Sequence, residues 1–289
     1  MTSALYIVTG ASRGLGAAMA QQLLQPGVLL LGISRHRNEA LAALAARSGV
    51  TCEQWALDLA EPVAVAKRLQ NWLAGLDGSS FDQASLINNA GVITHVGPID
   101  ECGNDALSAA LRVGLEAPLL LSAAFLRGTS GWRAQRRVLN ISSGLGRRTM
   151  AGSAAYCAAK AGMDHFSRAM ALDEAQRGHG AKVVSLAPGV IDTDMQVQLR
   201  GADPAGFPEQ ANFIKLKESG QLTSTHDAAA RVLAYLNRAD FGVNPVADVR
   251  DVGLLPGLEP SKASAIDLRT QGGSLQVSSA RLRRCLVLA

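Results

Sequence analysis

A tyrosine and a lysine stand four residues apart in a run of small residues, "SAAYCAAKAG" at positions 153–162. A spacing of four places Tyr156 and Lys160 on one face of a helix. Because a nearby ammonium favours the phenolate, the pair predicts a tyrosine whose pKa lies below its usual value and which serves as an acid near neutral pH. The small neighbours leave space for a ligand to approach this face.

A serine hydroxyl precedes this pair. Ser143 ends the segment "VLNISS", whose apolar and β-branched residues predict a buried strand. In an open parallel sheet, the carboxyl end of a strand points into the ligand crevice. A hydroxyl there can hold a carbonyl oxygen while Tyr156 gives that oxygen a proton and a hydride reaches the carbon. Alone, Ser143 is better explained as a strand-end hydroxyl bonded to the backbone; its combination with Tyr156 and Lys160 points to catalysis.

A glycine-rich turn follows the first predicted strand. The stretch "TGASRGLG" places Gly10, Gly14 and Gly16 between that strand and a helix. Glycines allow the backbone to approach a pyrophosphate, which the free N–H groups and the dipole of the helix N-terminus attract. The same pattern also marks ordinary strand-to-helix turns, but its position at the start of a strand–helix–strand unit favours a dinucleotide-binding fingerprint.

The end of the second predicted strand bears on which dinucleotide binds. Sites for NAD usually offer a carboxylate to the ribose 2′-hydroxyl, whereas this chain reads "GISRHR", with Arg35 and no acid. Arg35 and Arg13 could hold a 2′-phosphate through charge-assisted bonds, so we expect NADP(H); both could also be solvated surface charges. Asp58, after the third strand, is expected to meet the adenine or to cap the next helix.

Strands and helices alternate along the chain to about residue 250. The predicted strands are "ALYIVTG", "GVLLLGIS", "VTCEQWALD", "ASLINNAG", "RRVLNISS", "AKVVSLAPG" and "NPVADVR". Helices fill the intervals, including long ones over about 104–127 and 153–177. This alternation implies right-handed crossovers and an α/β fold of the Rossmann type, a doubly wound parallel sheet of about seven strands with helices on both faces. We expect one domain over residues 1–251.

Two segments break the alternation. Residues 188–225 lose their period apart from the short amphipathic stretch "NFIKLKESG", and loops of this length in a compact domain are usually functional or disordered, so we expect a lid over the site. Its apolar residues suit a bulky uncharged substrate, or pack beneath the loop as core: Val190, Met195, Val197, Phe207 and Phe213. Residues 252–289 show no sustained period, which leaves disorder and docking on a partner subunit both open.

Composition excludes several function classes. The chain has 289 residues, 48% of them hydrophobic and 18% charged, as is usual for a soluble globular protein. Its net charge of +4 comes from scattered arginines without an aromatic and basic motif, so no nucleic-acid partner is expected. No apolar run reaches the length of a bilayer span and no signal peptide is evident, which predicts a cytoplasmic protein without a membrane partner. The four cysteines lack metal-site spacing and indicate reduced thiols.

The ordered set of motifs resembles the short-chain dehydrogenase/reductase family over about residues 4–250. The motifs are "TGASRGLG", "NNAG" (88–91), "ISSG" (141–144), "YCAAK" (156–160) and "APGVIDTDM" (187–195). Within the family, "AYCAAKAGMDHF" and "APGVIDTDMQVQLR" are most similar to the bacterial benzil reductases that form (S)-benzoin, relatives of sepiapterin reductase. The resemblance implies that Ser143 orients the substrate, that Tyr156 is the acid/base, and that Lys160 is both a ribose ligand and the electrostatic partner of Tyr156.

The motifs and the strand ends together predict a cofactor site. Its expected residues are Gly10, Ser12, Arg13, Gly14, Leu15, Gly16, Arg35, Asp58, Leu59, Asn89, Ala90, Gly91, Tyr156, Lys160, Pro188, Gly189, Val190, Ile191 and Thr193. One departure concerns the long fourth helix, where family members usually carry an asparagine that holds a water behind the lysine. The matching stretch "RVGLEAP" has Gly114 instead. We expect an extra water to take that place, leaving a slower proton relay.

These observations predict an NADPH-dependent carbonyl reductase that converts a hydrophobic ketone or a benzil-like α-diketone into a secondary alcohol. A sepiapterin-type or 3-oxoacyl reductase is an alternative within the family. Gly114 and the unassigned tail keep open a non-catalytic NADP(H)-binding sensor. His95, after "NNAGVIT", lies near the expected pocket; it is an incidental surface residue or a substrate contact, and the first interpretation is favoured. Small and apolar residues on the fourth and fifth helices predict a homodimer or homotetramer.

Overall fold

A sheet of seven parallel strands forms the centre of the computed structural model, which describes residues 3–251. The strands are β1 (Ala4–Thr9), β2 (Val28–Ser34), β3 (Thr51–Ala56), β4 (Gln83–Asn88), β5 (Gln135–Ile141), β6 (Lys182–Ala187) and β7 (Val246–Asp248). They pair in the order β3, β2, β1, β4, β5, β6, β7, always in parallel. The predicted fold class is confirmed. The tail at 252–289 lies outside the described residues.

Helices with an apolar side cover both faces of this sheet, and further helices lie in the segment at 188–225. They are α1 (Gly14–Gln22), α2 (Glu39–Ser48), α3 (Pro62–Ala74), α4 (Asn104–Leu111), α5 (Ala117–Gly128), α6 (Ala154–Ala175), α7 (Asp194–Arg200), α8 (Gln210–Glu218) and α9 (Thr225–Leu236). Helices α1, α2 and α9 bury Met19, Leu41 and Leu233 in the cluster on one face. Helices α3 and α5 bury Leu69 and Phe125 in the cluster on the other face.

The strand order reverses beside β1. Strand β2 pairs with one edge of β1 and β4 with the other. Strands β2 and β3 therefore lie on one side of β1, and strands β4 to β7 lie on the other side. In open sheets of this kind, a crevice forms at the carboxyl ends of the strands at the reversal, and ligands bind there. The topology therefore places one ligand crevice beyond Thr9 and Asn88, the last residues of β1 and β4.

The predicted long helix over about 104–127 is confirmed, with one irregularity. A π turn over Arg112–Glu116 joins α4 to α5 and contains the buried Gly114. By length and apolar composition, the whole run Asn104–Gly128 could pass for a membrane span, but this is weak evidence because core helices pass the same test. Its buried Leu121 and Phe125 pack in the core against α3, as a core helix requires.

The segment at 188–225 is more regular than predicted, since it contains both α7 and α8. Helix α7 was missed because it has only seven residues, although its ends carry recognisable signals. Asp194 lies in its first turn, Arg200 in its last turn, and Gly201 follows it. The segment packs through Phe207 and Leu199 on Met150, in a third apolar cluster.

We predict that Gly16→Ala destabilises the fold, although alanine normally favours a helix by about 1 kcal/mol over glycine. A Cβ on Gly16 would lie 2.2 Å from the Gly10 carbonyl oxygen, so the turn between β1 and α1 would have to shift. Overpacking of this kind costs about 1–3 kcal/mol in the free energy of unfolding. Urea unfolding measures the change. Gly178→Ala is the matched control, because no atom lies within 4 Å of its Cβ position, and a loss as large there would contradict the packing explanation.

Candidate active site

The three predicted catalytic side chains meet at the carboxyl end of β5. Ser143 follows that strand and caps a single 3-10 turn, its Oγ accepting a hydrogen bond from the Leu145 N–H at 3.2 Å. Tyr156 lies in the first turn of α6, with its phenol beside the Ser143 hydroxyl. Lys160 follows one turn later, its Nζ 5.6 Å from the centroid of the Tyr156 ring. Ser143 therefore bonds the backbone, as expected of a strand-end hydroxyl, and also lies beside the Tyr156 phenol.

The Lys160 ammonium is buried, with 4% of the residue exposed. Its Nζ donates a hydrogen bond to the Ile141 carbonyl oxygen at 2.7 Å, at the end of β5. Gly91, a predicted cofactor residue, lies nearby, because a Cβ on it would be 3.8 Å from Nζ. The ammonium thus sits between β5, the loop after β4 and the tyrosine face of α6.

The predicted lowering of the tyrosine pKa is wrong for this structure. Tyr156 is half-buried as a residue, but its hydroxyl end is surrounded by protein, and this burial raises the pKa of Tyr156 to about 12. The neighbouring Ser143 hydroxyl offsets part of that shift. Burial also lowers the pKa of Lys160 to about 8, while the Asp164 carboxylate raises it in part. Desolvation disfavours the charged form of both groups, and the ammonium is bonded to a carbonyl rather than to the phenol.

Asp164 is a central residue that sequence reasoning missed. It lies on α6 one turn after Lys160 and is 1% exposed. Its Oδ1 accepts hydrogen bonds from the hydroxyls of Ser142 at 2.6 Å and Ser185 at 2.7 Å. Its Oδ2 accepts one from Arg147 Nε at 3.1 Å. One carboxylate therefore ties α6 to the ends of β5 and β6 and to the turn after Ser143. The only sequence signal was an acid on the apolar side of "AGMDHF".

A second buried network joins β4, β5 and α6. Asn88 Nδ2 donates to Asn140 Oδ1 at 2.8 Å, and Asn140 Nδ2 donates to Ser167 Oγ at 2.8 Å. Ser167 in turn donates to the Met163 carbonyl at 2.7 Å within α6. These residues were also missed, because their partners lie far apart in the sequence. The network holds the helix that carries Tyr156 against the two central strands.

The glycine loop has the geometry of an anion cradle. Gly10 and Gly14 adopt φ of +69° and +57°, a backbone region that suits glycine. No side chain caps the first N–H groups of α1, and its first turn contains no acid. Thr9 accepts hydrogen bonds from the Asn89 and Ala90 N–H groups at 2.9 and 3.0 Å. Thr9, which sequence reasoning missed, thus fixes the loop after β4 to the end of β1.

The remaining predicted cofactor residues fall into three groups. Arg35 and Asp58 are exposed beyond the ends of β2 and β3, where Asp58 Oδ1 accepts a bond from the Ala60 N–H at 2.9 Å. Arg13 is exposed and pairs with Asp194 at 2.8 Å. The side chains of Leu15, Leu59 and Ile191 are buried in the core, which leaves only their backbone for a ligand. The part-buried residues at the carboxyl edge are Ser12, Asn89, Ala90, Pro188, Gly189, Val190 and Thr193.

Gly114 is packed closely against the tyrosine helix. A Cβ at this position would lie 3.0 Å from the Ala159 Cβ, next to Lys160. An asparagine would therefore require α6 or the π turn to move. The expectation that a water replaces the usual amide stays a prediction.

A cleft opens beside Tyr156, and its lining is mostly apolar. The lining residues are Val92, Ile93, Thr94, His95, Gly97, Ile99, Cys102, Leu107, Ala110, Gly152, Ser153, Ala154, Ala155 and Tyr156. His95 lies in the wall of this cleft, and whether it contacts a substrate stays a prediction. Among the apolar residues of the predicted lid, Phe207 is core, Met195 and Phe213 pack against it, and Val197 is exposed. A broader groove near Trp55 and Trp72 contains none of the predicted catalytic residues.

Comparisons with known proteins agree with this geometry. The family model for short chain dehydrogenases matches residues 4–203. The chain is 34% identical to a benzil reductase ((S)-benzoin forming) of Bacillus cereus, over 81% of this chain and 94% of the relative. It is 32% identical to a 3-oxoacyl-(acyl-carrier-protein) reductase of Salmonella typhimurium, over 76% of this chain and 86% of the relative.

Solved structures give the same result. A short-chain dehydrogenase/reductase from Burkholderia vietnamiensis is 34% identical, with a TM-score of 0.57 over 86% of this chain and 98% of that one. Among structures of similar fold, one that is 25% identical to this chain holds NADP and one that is 23% identical holds NAD. The fold, the motifs and these matches together show that the chain belongs to the short-chain dehydrogenase/reductase family of oxidoreductases.

Proposed function

We propose that this protein is an NADPH-dependent carbonyl reductase that reduces a hydrophobic ketone, with benzil-like α-diketones as the preferred class. The observation that carries the proposal is the arrangement of Ser143, Tyr156 and Lys160 beside an apolar cleft. The resemblance to benzil reductases over most of the chain supports the substrate class.

The residues at the crevice fit a dinucleotide. The glycine cradle and the uncapped N-terminus of α1 suit a pyrophosphate. Arg35 is exposed at the end of β2, where the described residues offer no carboxylate before Glu39. A guanidinium there favours a 2′-phosphate and so supports NADP(H) over NAD. Arg13 can contribute the same charge once it exchanges its exposed pairing with Asp194.

A nicotinamide cofactor held at the glycine loop would supply the hydride, and the chain supplies the proton. Ser143 Oγ donates a hydrogen bond to the carbonyl oxygen and orients it towards the phenol. A phenol with a pKa of about 12 is fully protonated at neutral pH, so Tyr156 holds its proton until negative charge develops on that oxygen. The O–H bond of Tyr156 then breaks as the alcohol O–H forms.

Lys160 stabilises the phenolate that this transfer leaves behind. Its ammonium stays in place through the Ile141 carbonyl, and the Asp164 carboxylate favours its charged form. A positive charge 5.6 Å from the ring centroid lowers the energy of the product state more than that of the neutral phenol. The lysine therefore acts on the charge that develops during reaction.

Two other readings are retained. The similarity to a 3-oxoacyl reductase favours a thioester-linked 3-oxoacyl substrate, and sepiapterin-type reduction is a related possibility. A non-catalytic NADP(H)-binding sensor differs in class and would bind cofactor without oxidising it. NADPH oxidation with a panel of benzil, a 3-oxoacyl thioester and sepiapterin distinguishes all of them.

We also propose a homodimer or homotetramer, supported by Leu119 and Leu172, which are exposed on α5 and α6.

We predict that Tyr156→Phe lowers kcat for ketone reduction by about 10²–10⁴-fold, because the variant lacks the proton donor. Binding of NADPH, followed by fluorescence, is expected to change less than about threefold. Tyr235→Phe is the matched control, a part-buried tyrosine that packs against Phe241 away from the site. Full turnover in Tyr156→Phe would show that another group donates the proton.

We predict that Arg35→Ala raises the KM for NADPH about tenfold or more and leaves the KM for NADH within about twofold. The reason is that only NADPH carries the phosphate that the guanidinium would bind. Arg37→Ala removes an exposed arginine two residues away and serves as the control. Equal changes for both cofactors would argue against 2′-phosphate recognition at this position.

We predict that Asp164→Asn moves the alkaline limb of the kcat profile to lower pH. Lys160, with a pKa of about 8, must be charged, so activity falls as pH rises through that value. The Asp164 carboxylate raises that pKa, and its removal lowers it. Activity at pH 8 is expected to fall about two- to tenfold, with a smaller change at pH 6. Asp173→Asn, an exposed acid on the same helix, is the control. An unshifted limb would contradict this role.

A further inference from the structure

His95 has a polar atom without a partner in the cleft beside Tyr156. Its Nε2 is buried and makes no hydrogen bond with any residue that the structure describes. Buried polar atoms are nearly always paired, because leaving one unpaired forfeits its bond to water. His95 and Tyr156 line the same cleft, where a substrate would lie.

The imidazole is held in a defined position. It packs over Gly97, since a Cβ on that glycine would lie 2.6 Å from Nε2. The Gly97 N–H donates to the Gly152 carbonyl at 2.9 Å, and Gly152 lies four residues before Tyr156. The loop that carries His95 is thereby tied to the segment that leads into α6.

Few side chains in the cleft can bond a second polar group of a substrate. Most of the lining is apolar, including Val92, Ile93 and Leu107. The polar side chains beside Tyr156 and His95 are Thr94, Cys102 and Ser153. Thr94 is exposed and Ser153 is buried, while the Cys102 thiol is a weak donor directed at the Gly103 carbonyl.

We propose that His95 Nε2 donates a hydrogen bond to a second substrate oxygen, next to the carbonyl that is reduced. His95 would thereby select α-dicarbonyl substrates over monoketones of the same shape. This inference rests on the proposed carbonyl reductase function. A site built to bond an oxygen discriminates against an analogue that lacks it, because its own polar group is then left unpaired. His95 is in this view a specificity residue, and the proton still comes from Tyr156.

The test compares two substrates with one carbon skeleton. Benzil has two adjacent carbonyls between its phenyl rings, and deoxybenzoin has one carbonyl and one methylene. Benzil is intrinsically more reactive, so the diagnostic quantity is the change in the ratio of kcat/KM values between wild type and variant. In this comparison the intrinsic reactivity cancels.

His95→Phe removes the nitrogen and keeps a ring of similar size. We expect the benzil to deoxybenzoin ratio to fall about tenfold, with the loss confined to benzil. His95→Gln retains an N–H donor and is expected to recover part of the ratio. His165→Leu, an exposed histidine on α6, is expected to leave the ratio unchanged.

An unchanged ratio in His95→Phe overturns the inference, as does an equal loss with both ketones. Should that variant fail to fold by circular dichroism, His95→Leu repeats the measurement with a smaller side chain, and the same outcomes decide. A wild-type protein that oxidises NADPH with neither ketone refutes the proposed function itself, and this inference with it. A failure of His95 alone is visible only in the variants, so the two failures are distinguishable.

Discussion

The buried ammonium of Lys160 is the constraint on which the geometry of the site depends. A lysine charge in the interior is stable only when it is hydrogen-bonded and balanced by nearby negative charge. Here the Ile141 carbonyl provides the bond, and the Asp164 carboxylate provides the charge. Asp164 also accepts hydrogen bonds from the Ser142 and Ser185 hydroxyls. The carboxylate that balances the lysine charge therefore also holds the ends of β5 and β6 against α6. The position of Tyr156 beside Ser143 follows from that attachment.

This arrangement also explains how, in the proposed function, Tyr156 serves as an acid without being acidic at rest. Burial raises the pKa of Tyr156 and lowers the pKa of Lys160. The phenol is therefore neutral before negative charge develops on the substrate. When negative charge develops on a carbonyl oxygen, proton transfer moves that charge to the phenolate near a fixed cation. The stabilisation is greatest after transfer, which is the property that accelerates a reaction. A tyrosine ionised at rest would have no proton to give.

Much of this fold could be predicted from the sequence, because buried parallel strands read as short apolar runs that end in glycine or serine. The glycine loop and the spacing of Tyr156 and Lys160 were equally legible, since both depend on neighbours in the chain. Asp164 was not, because its partners Ser142, Ser185 and Arg147 meet it only in the folded sheet. The predicted direction of the pKa shift of Tyr156 was wrong for the same reason. Spacing shows that two groups are close, whereas desolvation depends on everything that surrounds them.

The attachment of the segment at 188–225, the predicted lid, follows from a comparison of two kinds of contact. Arg13 with Asp194 and Lys217 with Asp192 form exposed ion pairs, which are worth about 0–1 kcal/mol each. Phe207, in contrast, is fully buried in the third apolar cluster, and burial of a phenylalanine side chain contributes about 1.5–3 kcal/mol. Apolar packing therefore dominates. Cys157 belongs to the same cluster and adjoins Tyr156, so the packing that holds this segment also borders the phenol. An apolar substrate in the cleft extends this contact surface, whereas a charged one would lie against it unpaired.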